Sequence, residues 1–153
     1  MYLSTKMYGH EVGLSCCFRQ WRAQSHCNKL HGYALAVKFT FAAIELDNNG
    51  WVVDFGGLKP LKEMLQAYFD NTLLVAPDDP KLHLFKQLQA GGVADVIFLA
   101  DGVGCEKFAA LIFDQAKDWL SENYMHVQLV SVEVKEHGAN SATKLAQGAS
   151  LPL

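Results

Sequence analysis

Cys27 and His31, four residues apart, are the pair in this chain best suited to chemistry on a small molecule. A thiolate takes up a proton or attacks carbon once its neighbours lower its pKa, and Arg22, His26 and Lys29 are close in sequence to do so. An imidazole binds metal or shuttles protons. Tyr33 follows two residues after His31, so the two share a face of any strand they lie on. A carboxylate enters from far away in sequence. Val130, Val132, Val134 and Glu136 alternate along one segment, which sets Glu136 at the end of an apolar row, where a carboxylate needs a partner.

Several elements must hold these groups. Residues Gly9 to Trp21 read as a first strand, with Val12, Leu14, Cys16 and Phe18 at period two. Arg22 to Lys29 is a polar connection. A long second strand carries His31, Tyr33, Leu35, Val37, Phe39 and Phe41 on one face. Asp47 to Gly50 is a turn, and Trp51 to Asp54 reads as extended. Leu58, Leu61, Leu65, Tyr68 and Phe69 recur at helical spacing, giving a helix from about Gly57 to Asp70 with Pro60 in its first turn. Lys81 to Ala90 is a short helix closed by Gly91-Gly92, and Val93 to Leu99 a short extended run. Phe108, Leu111, Ile112, Ala116 and Trp119 mark another amphipathic helix. Val127 to Glu136 is a third strand and Gly138 to Leu145 a fourth. The expected fold is therefore α+β: an antiparallel four-stranded sheet with its helices on one face, in the order ββααββ.

Length and composition bound the function. A chain of 153 residues, half of them hydrophobic, suits a single domain over 1–147 with a frayed tail at 148–153. A net charge of −3, without basic blocks, gives no electrostatic case for nucleic acid. No apolar run nears the roughly 18 residues of a membrane span. The first ten residues lack a signal-peptide pattern, so the cytoplasm is the expected location. Cys16, Cys17, Cys27 and Cys105 form no Cys-x-x-Cys pair, which disfavours a zinc knuckle or a disulfide scaffold. Asp54-Phe55-Gly56 spells a kinase tripeptide, but the other kinase elements are missing.

Taken together, these segments resemble the 6-pyruvoyl-tetrahydropterin synthase and 6-carboxytetrahydropterin synthase family. Cys27 to Tyr33 is similar to its Cys-x-x-x-His-Gly-His signature, and Gly50 to Lys59 to its Gly-x-Val-x-Asp-Phe-x-x-Leu-Lys segment. Asp70-Asn71 stands where the family has Asp-His, Gly102 to Glu106 where it has Asn-Pro-Thr-x-Glu, and Val132 to Glu136 resembles its closing Val-x-Val-x-Glu strand. The resemblance implies the tunnelling (T-) fold, assembled as a homo-oligomer (a trimer or hexamer) with sites between subunits. It implies a lyase acting on 7,8-dihydroneopterin triphosphate or a related dihydropterin, on the route to queuosine-type bases. Cys27 would be the base and Asp70 would assist proton transfer. Glu136 would clamp the adjacent N–H donors of a pterin, with Cys105 and Glu106 also at the substrate.

The family's zinc set is incomplete here. It takes one histidine from the first strand and two from His-Gly-His. This chain has Phe18 and Tyr33 at two of those positions and keeps only His31. Catalytic zinc usually has three protein ligands and a water. Cys16, which shares Phe18's face, and Cys17, His10 and His26 are the alternative donors. The relay histidine is likewise replaced, by Asn71, with His137 as an alternative imidazole. Two further readings follow: a zinc-lacking oligomer that binds a pterin or purine, or an altered, metal-free enzyme on the same scaffold.

Overall fold

The computed structural model describes residues 1–149, and the expected tail lies largely outside them. Its central element is β3 (His31–Ala43), thirteen residues long. Leu35, Val37, Phe39 and Phe41, the apolar row expected from the sequence, are all fully buried. A strand this long takes two partners in series. β1 (Tyr2–Tyr8) pairs antiparallel from Tyr2↔Ala43 to Tyr8↔Val37, and β2 (Leu14–Phe18) continues from Leu14↔Leu35 to Phe18↔His31. Between them residues 9–13 leave the ladder. A 3-10 turn at His10–Val12 ends on Gly13, whose φ of 80° lies in the left-handed region that favours glycine.

Along its opposite edge β3 pairs with β6 (Gln128–His137), which continues into β7 (Asn140–Leu145). Past β2 the sheet becomes parallel: β4 (Thr72–Val75) lies on β2 and β5 (Asp95–Phe98) on β4. The result is a seven-stranded sheet in the order β5-β4-β2-β3-β6-β7, with β1 beside β3.

The expected four-stranded antiparallel sheet and its ββααββ order are thus corrected. β1 escaped notice because it is an edge strand with only Tyr8 buried, so its alternation carries no run of apolar residues. β4 is only four residues long, and it is buried on both faces, as parallel strands are. Residues 51–54 bend rather than form a strand, with Val52 and Val53 both buried.

Three helices cover the sheet. α1 (Lys59–Phe69), with Pro60 in its first turn, buries Leu61, Leu65 and Phe69. α3 (Cys105–Asn123) buries Phe108, Ile112, Ala116 and Leu120, a row at i, i+4 spacing. Both pack on the face of β3 that holds Leu35 and Phe39. α2 (Leu82–Ala90) does not join them. Its Phe85 packs with Leu73, Val75 and Val96 in a separate cluster. Leu74, between Leu73 and Val75, belongs to the main core, so α2 lies on the other face. Helices on one face is therefore a second correction, and its cause is the parallel extension, which has two faces to cover.

The apolar row leading to Glu136 is also interrupted. Thr40 pairs with Ser131 and Phe41 with Leu129, so Val130 is the extra residue of a bulge and Leu129 takes the inward place. Phe39 stacks on Phe41 at 6.1 Å and meets Tyr8 edge-on. Phe39→Ala is expected to cost roughly 3–5 kcal/mol, read as a lowered urea midpoint with an unchanged slope.

Candidate functional site

Glu136 is placed by a second irregularity in β6. Lys135 pairs with Ser141 of β7 and His137 with Asn140, leaving Glu136 unpaired between them, while the ladder to β3 ends at Ala36↔Lys135. A bulge adds a residue to one strand and re-aims a side chain. The Glu136 carboxylate lies beside Tyr33 of β3 and Cys105, the first residue of α3. Burial foremost, then the Glu136 charge, raises the Tyr33 phenol, with smaller effects from Cys27, Cys105 and a hydrogen bond to Glu136. Burial foremost, then the charges of Glu136 and Glu106, pushes the Cys105 thiol up to about 12. Both groups stay protonated at neutral pH. Glu106 itself is exposed.

Aromatic rings fill the floor of the site. Phe18, only 1% exposed, lies 5.0 Å from the His31 ring, 6.2 Å from Tyr33 and 5.1 Å from Phe108. His31 meets Tyr33 edge-on at 5.5 Å, and His137 lies 6.1 Å from Tyr33. The His31 ring is fixed by Nδ1, which contacts the Lys29 carbonyl at 2.8 Å.

Cys27, half-buried, occupies a 3-10 turn at His26–Asn28, where its N–H reaches the Ser25 hydroxyl. Arg19 and Gln20 tether this loop to distant segments. Arg19 donates to both carboxylate oxygens of buried Asp79, at 2.7 and 2.6 Å, and to the Asn28 carbonyl. Asp79 also accepts the Lys81 N–H, so the same carboxylate caps the approach to α2. Gln20 donates its backbone N–H to the Cys27 carbonyl, and its side chain donates to the Val103 carbonyl just before α3. Gly104, at φ 115°, leaves room for that side chain, since a Cβ there would collide with Gln20 Nε2. Arg22, expected to help Cys27, turns instead to Asp78 at 2.9 Å and stacks on Trp21. The Arg19–Asp79 and Gln20–Val103 contacts were not foreseen, because each joins residues far apart in sequence without a local pattern.

Asp70 is exposed at the end of α1, leading into β4, whose first backbone contact is Asn71 N–H to the Ser15 carbonyl. β2 and β3 separate β4 from β6, a span of roughly 14 Å at three strand spacings. Asp70 and Glu136 of one chain are therefore not neighbours.

The donor set at the three family positions offers one nitrogen, from His31. Phe18 has no lone pair, and a protonated tyrosine such as Tyr33 is a poor zinc ligand. Of the alternatives, His10 bonds the Ala34 carbonyl. Cys16 is buried, and burial foremost, then Cys17 and Cys105, pushes its thiol up to about 12. Among the described residues no three His, Cys, Asp or Glu side chains are grouped to hold an ion. All four cysteines are free. A cavity of about 510 Å³ lies elsewhere, between β1 and residues 46–55, lined by Leu46, Trp51 and Phe55.

A long strand flanked by two shorter ones in series, with helices packed across it and a carboxylate at its closing strand, defines the tunnelling fold of pterin-type synthases. The chain belongs to the 6-pyruvoyl tetrahydropterin synthase family, whose model matches residues 9–146. It is 37% identical over 60 residues to the 6-carboxy-5,6,7,8-tetrahydropterin synthase of Rickettsia typhi, covering 39% of this chain and 44% of that protein. It is 36% identical over 53 residues to the Bacillus subtilis protein of the same name, covering 35% and 34%. The chain thus spans less than half the length of these curated relatives.

Solved structures share the fold over nearly the whole chain. An uncharacterized protein of Wolinella succinogenes superposes with a TM-score of 0.78 at 18% identity, covering 95% of this chain and 98% of its own. The 6-pyruvoyl tetrahydropterin synthase of Plasmodium vivax gives 0.66 at 14% identity, covering 94% and 98%. That of Caenorhabditis elegans gives 0.61 at 17%, covering 95% and 94%. No helix among the described residues is long and apolar enough to cross a membrane.

The Arg19–Asp79 pair makes a testable prediction. Hydrogen bonding from Arg19 foremost holds the Asp79 carboxyl below its ordinary value of 3.8, against burial, which raises it. Its contribution to stability is therefore present above that ordinary value and lost as pH falls through the lower folded value. Asp79→Asn is expected to cost about 2 kcal/mol at neutral pH, less than the roughly 3–5 of a wholly buried pair, because Arg19 remains 20% exposed. Urea unfolding at neutral and acid pH checks this. A deficit that persists unchanged in acid would assign the effect to something other than the ion pair.

Proposed function

We propose that the chain is a 6-carboxytetrahydropterin synthase-like lyase acting on 7,8-dihydroneopterin triphosphate or a related dihydropterin. The approach of Tyr33 and Cys105 to Glu136, with Tyr33 also within reach of Cys27, carries this reading. It unites three distant segments, each matching a family motif, around one acceptor. An ionised carboxylate offers about four acceptor sites, enough for the flanking donors and the paired N–H groups of a pterin edge. In this reading Glu136 anchors the ring, and Cys27, on its tethered turn, removes a proton beside the substrate side-chain carbonyl. Cys105 and Glu106 border the ring end. Cys16 and Cys105, whose thiols stay protonated, are unsuited to be the base.

The proposal extends to assembly. Exposed Tyr2, Leu3, Met7, Trp51 and Phe55 favour self-association, and a ring of copies would let Asp70 serve a neighbouring copy's site rather than its own. The queuosine route and the cytoplasm are the setting this activity implies.

A second reading, a pterin- or purine-binding oligomer or an altered enzyme lacking zinc, is favoured by one observation: the Phe18 ring at a family ligand position. Two variants separate the readings. Cys27→Ala is expected to abolish turnover of dihydroneopterin triphosphate while leaving pterin affinity within about twofold. Glu136→Gln is expected to weaken pterin binding about tenfold or more, followed by quenching of pterin fluorescence. Absent turnover in the unaltered chain, together with Glu136-dependent binding, would replace the lyase by the binding protein.

A further inference from the structure

We propose that this site recognises a flat heterocycle by its ring alone and without a metal, Glu136 taking the ring's N–H edge while Tyr33, with His31 edge-on to it, offers ring surface to its face. The inference rests on the reading of Glu136 as the ligand anchor and adds what replaces the metal and what the ligand needs.

The first support is volume. Phe18 is 1% exposed and packs against His31, Tyr33 and Phe108 at centroid distances of 5.0, 6.2 and 5.1 Å. Hydrocarbon therefore occupies the space among them, and His31 brings one donor where zinc usually takes three from the protein. The second is position. Tyr33 lies 6.1 Å from the ring of His137, the residue after Glu136, so it has become part of the anchor's surroundings. The third is surface. His31 and Tyr33 are half-buried and His137, 6.1 Å from Tyr33, is exposed. Ring surface is thus left beside the carboxylate, and such surface stacks planar heterocycles with little regard for their substituents.

The consequence concerns selectivity. A metal that grips side-chain oxygens makes affinity depend on the side chain. A carboxylate and aromatic rings make it depend on the ring. Pterin, which has no side chain, and neopterin, which has a hydroxylated one, are the probes. Each is titrated against the full-length wild-type chain by pterin fluorescence, with a chelator and again with zinc, and the zinc content of the protein is measured after dialysis. Equal affinities within about threefold in both media, weakened about tenfold by Glu136→Gln and by Tyr33→Ala, are expected, with no retained zinc.

Neopterin binding that zinc strengthens about tenfold over pterin would overturn the proposal, as would retention of about one zinc per chain. So would a Tyr33→Ala chain, folded by circular dichroism, that binds both probes as well as wild type. If neither probe binds, or if Glu136→Gln changes nothing, the anchor reading itself falls. Two probes that bind through Glu136 but differ in their need for zinc would overturn this inference alone.

Discussion

A strand of thirteen residues exposes a row of N–H and C=O groups on each edge, and buried groups of that kind must find partners. That requirement on β3 organises the molecule. Its opposite edges take β6 on one side and the β1–β2 pair on the other. Because β3 takes only one edge of β2, the other edge is free to accept β4 at Cys16 and Cys17, and the parallel extension and α2 follow from that. The candidate site forms where these ladders run out or break: at His31, where β3 begins, and at Glu136, beyond the end of the β6 ladder to β3 and in a bulge of its ladder to β7.

The sequence was most legible where one face is buried and the other is not. The β3 row from Leu35 to Phe41 and the α3 row from Phe108 to Ala116 repeat at the periods of their elements and lie in the core. It was least legible at the extremes. β1 is so exposed that its side chains carry little pattern, and β4 is so buried that no alternation is left to read. Neither strand announces its partner, since parallel pairing of Cys16 with Thr72 depends on α1 bringing the chain back.

The candidate site divides in the same way. Cys27, His31, Tyr33, Cys105 and Glu136 were legible because they fall in motifs. What the motifs did not contain is the arrangement. Tyr33 was readable only as a position that had lost a ligand, and its closeness to Glu136 required the bulge in β6. Arg19 and Gln20 looked like ordinary polar residues at the end of a strand. Their partners, Asp79 and Val103, lie 60 and 83 residues away. Between them they help decide where the Cys27 turn sits, so the position of this partly exposed thiol is set by groups outside any catalytic signature.

The unpaired Glu136 has a consequence for how such a protein changes over time. A residue bonded in two ladders cannot shift without disturbing both, and a core position such as Val134 is held by packing as well. Glu136 is subject to neither restraint. Its carboxylate stands on a mount whose angle is set by the short turn at Gly138 and Ala139, at the rim of the sheet and away from the main core. If Glu136 anchors the ligand as proposed, altering that turn would re-aim it at little cost to folding. Descent with modification therefore finds here a place where ligand preference can drift while the scaffold stays as it is.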